Sequence, residues 1–235
     1  MSHPVTARAT PSSAGLTPAA PPRPPAPASR LSWLKAQTRK PGEASFFYWE
    51  SHFRTDAVKV LPGEFFVDDQ ETLITTTLGS CIAACLWDRD RHIGGLNHFM
   101  LPDGPAVGVG DGGRYGAFAM DQLIGEMVRR GAQRTSMEAK LFGGGSVVEG
   151  MNSIQIGERN TQFALEYLRT ERIPVVSRDV LDIYPRKVVF LPRSGKAMVK
   201  RLQPRSGADW AAQDRMASQK AVAPAGGAGG SIDLF

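Results

Sequence analysis

The stretch Leu78-Gly79-Ser80-Cys81-Ile82-Ala83-Ala84-Cys85-Leu86-Trp87-Asp88-Arg89-Asp90-Arg91-His92-Ile93-Gly94-Gly95-Leu96-Asn97-His98-Phe99-Met100-Leu101 decides how this chain is read. Ile82 to Trp87 is almost wholly apolar, Asp88-Arg89-Asp90-Arg91 is charged, and Ile93 to Leu101 is apolar again. Two apolar runs on either side of a charged turn predict a β-hairpin. With the turn centred between Arg89 and Asp90, Cys81 and His98 fall directly opposite each other. Opposed side chains share a face with Cβ atoms roughly 5 Å apart, near enough for a thiol and an imidazole to share a proton. The turn has no Asn-Gly or Asp-Gly pair to fix a two-residue loop, and a single bulge would carry His98 to the other face.

Taken one at a time, a buried cysteine and a histidine on an apolar strand are ordinary interior residues. Their opposition is what points to an activated thiol. Gly79 and Ser80, just before the thiol, add a tight turn whose backbone N–H groups can form an oxyanion hole. Cys85 is read as a core residue on the same face as Cys81. Three residues between two cysteines on a strand give neither a Cys-x-x-Cys loop nor a tetrahedral metal set, so no metal site is expected. Gly143-Gly144-Gly145-Ser146 lacks the Gly-Lys-Ser/Thr ending of a phosphate loop and reads instead as a glycine-rich loop beside the active site.

The words around these residues resemble a known family. Thr75-Thr76-Thr77-Leu78-Gly79-Ser80-Cys81 followed by Gly94-Gly95-Leu96-Asn97-His98-Phe99-Met100-Leu101-Pro102 is similar to the chemoreceptor glutamine deamidases, the CheD proteins of bacterial chemotaxis. Lys140-Leu141-Phe142-Gly143-Gly144, Ile156-Gly157-Glu158-Arg159-Asn160, Ile173-Pro174-Val175-Val176, Arg186-Lys187-Val188 and Gly195-Lys196-Ala197-Met198-Val199-Lys200 follow in the family's order. The resemblance runs roughly from Asp56 to Leu202. It departs at Leu181-Asp182-Ile183-Tyr184-Pro185, where a glycine-rich approach to Arg186 is expected.

The resemblance implies Cys81 as nucleophile, His98 as general base and acid, and Thr75 as the residue that orients the imidazole. Thr75 opens a run of three threonines, so a shift of one position hands its role to Thr76 or Thr77. The implied activity is that of a protein-glutamine glutaminase, converting receptor glutamines to glutamate with release of ammonia and without a cofactor. The implied substrates are methyl-accepting chemotaxis receptors. The family also implies a second role, binding and stimulating a CheC-type chemotaxis phosphatase. A third reading, hydrolysis of receptor glutamyl methyl esters, uses the same nucleophile.

Composition bounds the rest. The 235 residues, 42% of them hydrophobic, suffice for one substantial core. Residues 1–42 read as a disordered Pro-rich basic tail, because nine of the 17 prolines fall in the first 41 positions. Residues 43–203 read as the deamidase-like domain and 204–235 as a flexible Ala/Gly-rich tail. Arg8, Arg23, Arg30, Lys35, Arg39 and Lys40 precede Glu43 with no acidic residue among them. The remainder holds 22 basic and 23 acidic groups, so the net charge of +5 belongs to the tail and no nucleic-acid surface is expected. No run approaches the ~18 apolar residues of a membrane span, and no secretory apolar segment opens the chain, so the expected location is the cytoplasm.

Met120, Leu123, Ile124 and Met127 recur at helical spacing before Gly131, predicting an amphipathic helix over Ala117 to Arg130. A second is predicted from about Glu158 to Arg169, with Ala164, Tyr167 and Leu168 inward, and strands resume at Val175, Lys187 and Lys196. The aromatic run from Phe46 to Phe66 either packs on the domain or forms a docking patch. The fold class is α+β: layered, mostly antiparallel β-sheets with two or three helices packed on one side.

Overall fold

A computed structural model describes residues 29–101, 109–146 and 153–203, with backbone only for 109–114 and 153–154. The order is α1 (Arg30–Ala36), β1 (Phe46–Glu50), β2 (Thr55–Lys59), β3 (Phe65–Asp68), β4 (Leu73–Leu78), β5 (Ile82–Asp88), β6 (Ile93–Phe99), α2 (Val109–Arg129), β7 (Met137–Gly143), α3 (Ser153–Thr170), β8 (Val175–Val180), β9 (Arg186–Leu191) and β10 (Lys196–Arg201). The strands make two five-stranded sheets, β1-β2-β4-β9-β10 and β3-β6-β5-β7-β8. Within each sheet every pairing is antiparallel except one, β2 with β4 and β7 with β8. The fold is α+β and layered.

Strand alternation builds the layers. Along β5, Ile82, Ala84 and Leu86 join a core with Met120, Leu123, Ile124 and Met127 of α2 and Ala164 and Leu168 of α3. The intervening Ala83 and Cys85, with Leu96 of β6 and Phe142 of β7, face Val58, Ile74, Leu78, Val188 and Phe190 of the other sheet. The central strands β5 and β6 of the second sheet are therefore buried on both faces, which is why they read as nearly continuous apolar runs rather than alternating ones. The order is first sheet, second sheet, then α2 and α3.

The helices at Ala117 and Glu158 are present but longer than their periodicity suggests. α2 begins at Val109, through a glycine-rich stretch whose propensity opposes helix. Further along the helix, a Cβ at Gly116 would lie 2.4 Å from the Phe163 ring, so glycine at that position suits the close approach to α3.

Two expectations are corrected. Residues 29–42 are not tail: Ser29 caps α1 through a bond from the Ser32 N–H, and Leu34 of α1 is buried in the inter-sheet core. Arg30 pairs with Asp68, and Lys40 with Glu126. Residues 1–28 and 204–235 lie outside the described residues. The hairpin register also differs. His98 opposes Ala83, not Cys81, because the turn is centred between Asp90 and Arg91. Asp88 Oδ1 accepts from the N–H groups of Asp90 and Arg91, and His92 closes the loop at φ 55° with its N–H on the Asp88 carbonyl. The resulting four-residue loop slides the pairing by two residues.

Candidate active site

A slip of two residues preserves the face. Cys81, one residue before the ladder begins at Ile82, and His98 therefore still line the space between the sheets without standing directly opposite each other. Both are buried, Cys81 at 0% and His98 at 1% exposure. The Cys81 Sγ lies 3.9 Å from Met100 Sδ, and Ser80 Oγ lies 3.4 Å from the same sulfur. Tyr115 of α2 is half-buried near the thiol. Burial first, and then the charge of Cys81, raise its phenol above the ordinary range and keep it protonated.

The imidazole is held by Thr76. Its Oγ1 lies 2.8 Å from His98 Nδ1 and donates at 2.8 Å to the Val60 carbonyl. A carbonyl only accepts and a hydroxyl has one proton, so that proton belongs to Val60. Nδ1 must then donate to Thr76, which leaves Nε2 as the basic nitrogen of the neutral ring. Thr75, the position favoured from sequence, does not reach the histidine. Its hydroxyl bonds Val58 O at 3.3 Å and Tyr48 Oη at 3.1 Å on the outer face of β4. Ile74 and Leu78 face the inter-sheet core, and strand alternation sends Thr76 with them and Thr75 the other way.

The turn before the thiol is gripped through its carbonyls. Gly79 O accepts from the Gly145 N–H at 2.9 Å, Cys81 O from the Gly144 N–H at 2.8 Å, and Ser80 O from Asn160 Nδ2 at 2.9 Å. The glycine run at Gly143 thus lies against the nucleophile turn. A Cβ on Gly143, whose φ is 111°, would fall 2.1 Å from the Cys81 carbonyl, and one on Gly157 would fall 2.2 Å from that of Gly144. Neither position tolerates a side chain. On the far side Arg186, opposite Leu78 in the ladder, is fully buried. It donates to Tyr184 O, Leu181 O and Asp179. Leu181 and Asp182 adopt φ 65° and 72°, the left-handed conformation that the expected glycines would supply without strain.

Cys85 lies in the inter-sheet core, 1% exposed, and burial raises its thiol far above the ordinary range despite the nearby Lys140. Burial therefore disfavours its thiolate. Asn160, Met100 and Tyr115 are site neighbours that spacing along the chain does not reveal, because α2, α3 and the strand end bring them in from elsewhere.

Fold and site together define a class: an α+β protein in which two stacked sheets enclose a cysteine at a strand-leading turn, with a threonine-held histidine on the same face. Residues 100–201 match the family model described as CheD chemotactic sensory transduction. Over 208 residues, 88% of this chain and 87% of the relative, the chain is 57% identical to the probable chemoreceptor glutamine deamidase CheD 1 of Albidiferax ferrireducens. It is 52% identical to the protein of that name from Dechloromonas aromatica, over 66% of this chain and 78% of the relative. The protein of that name from Shewanella oneidensis is 48% identical over 66% of this chain and 77% of its own length. The chain belongs to the CheD family. Among the described residues, no helix is long and apolar enough to cross a membrane.

Proposed function

We propose that this protein is a chemoreceptor glutamine deamidase, acting in the cytoplasm on glutamine side chains of methyl-accepting chemotaxis receptors. Within the family, the observation that supports this chemistry best is the tautomer of His98: Nδ1 is tied to Thr76, and the basic Nε2 is left for the thiol. A thiol of ordinary pKa near ~8.5 is a weak nucleophile at neutral pH and needs such a base.

Cys81 gives its proton to His98 and the thiolate attacks the amide carbon of the glutamine. The carbonyl becomes a tetrahedral oxyanion facing the backbone N–H groups of the Gly79-Ser80-Cys81 turn. The imidazolium returns the proton to the amide nitrogen, the C–N bond breaks, and ammonia leaves a thioester. His98 then takes a proton from water, the hydroxide attacks the thioester, and the thiolate departs from a glutamate product. Thiol, imidazole and backbone donors supply every step, with no cofactor. A CheC-type phosphatase is the second partner we propose, and it uses the folded surface rather than the thiol.

The test is to measure ammonia release from a receptor cytoplasmic fragment and methanol release from its methylated form, each with wild type and Cys81→Ala. The reading expects ammonia from wild type alone. Methanol without ammonia would transfer the assignment to ester hydrolysis, and equal activity in the variant would remove Cys81 from the mechanism.

A further inference from the structure

Asn160 is 0% exposed in the interior of α3 and uses both ends of its amide. Nδ2 donates to the Ser80 carbonyl at 2.9 Å, and Oδ1 accepts from the Leu101 N–H at 3.0 Å. These partners belong to different arms of the site. Ser80 directly precedes the nucleophile, and Leu101 lies just past the strand that carries His98. A fully buried amide is costly unless every polar atom finds a partner, and here the partners are these two backbone groups.

We propose that Asn160 is a positioning residue for the deamidation, a clamp that aims the Ser80–Cys81 peptide and fixes the nucleophile turn against the histidine strand. This rests on the reading under Proposed function. The described chain has no cis peptide, so the Cys81 N–H points opposite to the Ser80 carbonyl. Holding that carbonyl towards α3 therefore turns the Cys81 N–H away from α3, as an oxyanion donor must be turned before the charge develops. The neighbouring carbonyls of Gly79 and Cys81 are held by the N–H groups of Gly145 and Gly144. Of these three grips only the one on Ser80 comes from a side chain, and so it is the one a substitution can release. Gly157, three residues before Asn160, lets α3 approach Gly144 closely enough for the amide to reach the turn.

The experiment measures kcat and KM for deamidation of a receptor cytoplasmic fragment by wild type, Cys81→Ala, Asn160→Asp and Asn160→Ala, with thermal melts of each. Asn160→Asp keeps the shape and the acceptor for Leu101 but loses the donor to Ser80. The clamp predicts folded variants whose kcat falls about 10²-fold, the scale of a misplaced reacting group or a lost oxyanion donor. KM stays within about twofold, because the loss is confined to the transition state. For Asn160→Asp the deficit relative to wild type shrinks as the pH falls, since a protonated carboxyl donates again. A folded variant with wild-type kcat, a loss confined to KM, or a pH-independent deficit in Asn160→Asp would overturn the proposal. Failure of both variants to melt cooperatively would also overturn it, by assigning Asn160 to the fold alone. An inactive wild type or an active Cys81→Ala would instead sink the deamidase reading, and the clamp with it.

Discussion

Thr75 and Thr76 are neighbours in the chain and face opposite sides of one sheet, so they make a matched pair of controls. Thr76 fixes the tautomer of His98, and Thr75 bonds Tyr48 and Val58. Replacing Thr76 by valine removes the acceptor for Nδ1–H and frees the ring to choose the wrong tautomer. We expect kcat to fall by about 10- to 100-fold, within the range carried by a positioned general base. Thr76→Ser should recover most of the activity, and Thr75→Val should stay within about twofold of wild type in kcat. Steady-state kinetics on all three check this, and equal losses at the two positions would contradict it. The family resemblance names Thr75 first and leaves Thr76 or Thr77 open to a shift of one position. Parity alone does not separate Thr75 from Thr76 in the sequence, because Ile74 and Leu78 share the parity of Thr76 while the equally apolar Leu73 shares that of Thr75. Asn160 offered no signal either, since its partners lie on the turn and strand of a distant hairpin.

The hairpin β5–β6 was legible as an element while its register was not. Apolar runs mark strands, but the loop length depended on the Asp88 side chain folding back over Asp90 and Arg91, which periodicity does not report. Because the slip was even, the pairing of Cys81 with His98 across one face survived it. α2 shows the opposite limitation: its apolar stripe was plain, while its glycine-rich first turns carry a composition that opposes helix. α2 also carries Glu126, 5% exposed and bonded to Lys40, Arg129 and Arg130. Burial pushes its carboxyl up, but hydrogen bonds from Arg129, Lys40 and Arg130 outweigh burial and bring it down to about 2. A depressed carboxyl stabilises the fold fully above its unfolded pKa of about 4.3 and loses that contribution as pH falls towards 2. Thermal melts between pH 5 and 2 should therefore show a steeper acid limb for wild type than for Glu126→Gln. Parallel curves would show that the cluster contributes nothing through its charge.

At the scale of the molecule, two stacked sheets with helices outside were readable from the alternation of apolar runs and helical stripes, and the α+β class followed. Proline content dominates residues 1–41 and hides a seven-residue helix whose one buried side chain is Leu34. Leu34 and Leu31 of that helix pack onto the inter-sheet core. A chain starting at Glu43 should therefore melt below one starting at Ser29, with the loss including about 2–3 kcal/mol for the burial of Leu34 alone. Coincident melting curves would return residues 29–42 to the tail. The aromatic strand β1 divides, Phe47 packing inward while Phe46 and Trp49 stay exposed.

Peptide mass spectrometry of a receptor cytoplasmic fragment, after incubation with wild type or Cys81→Ala, is the measurement that decides whether Cys81 deamidates receptor glutamines. Glutamine-to-glutamate conversion is expected at particular positions with wild type and at none with the variant. The same conversion in both samples, or none in either, would contradict this assignment.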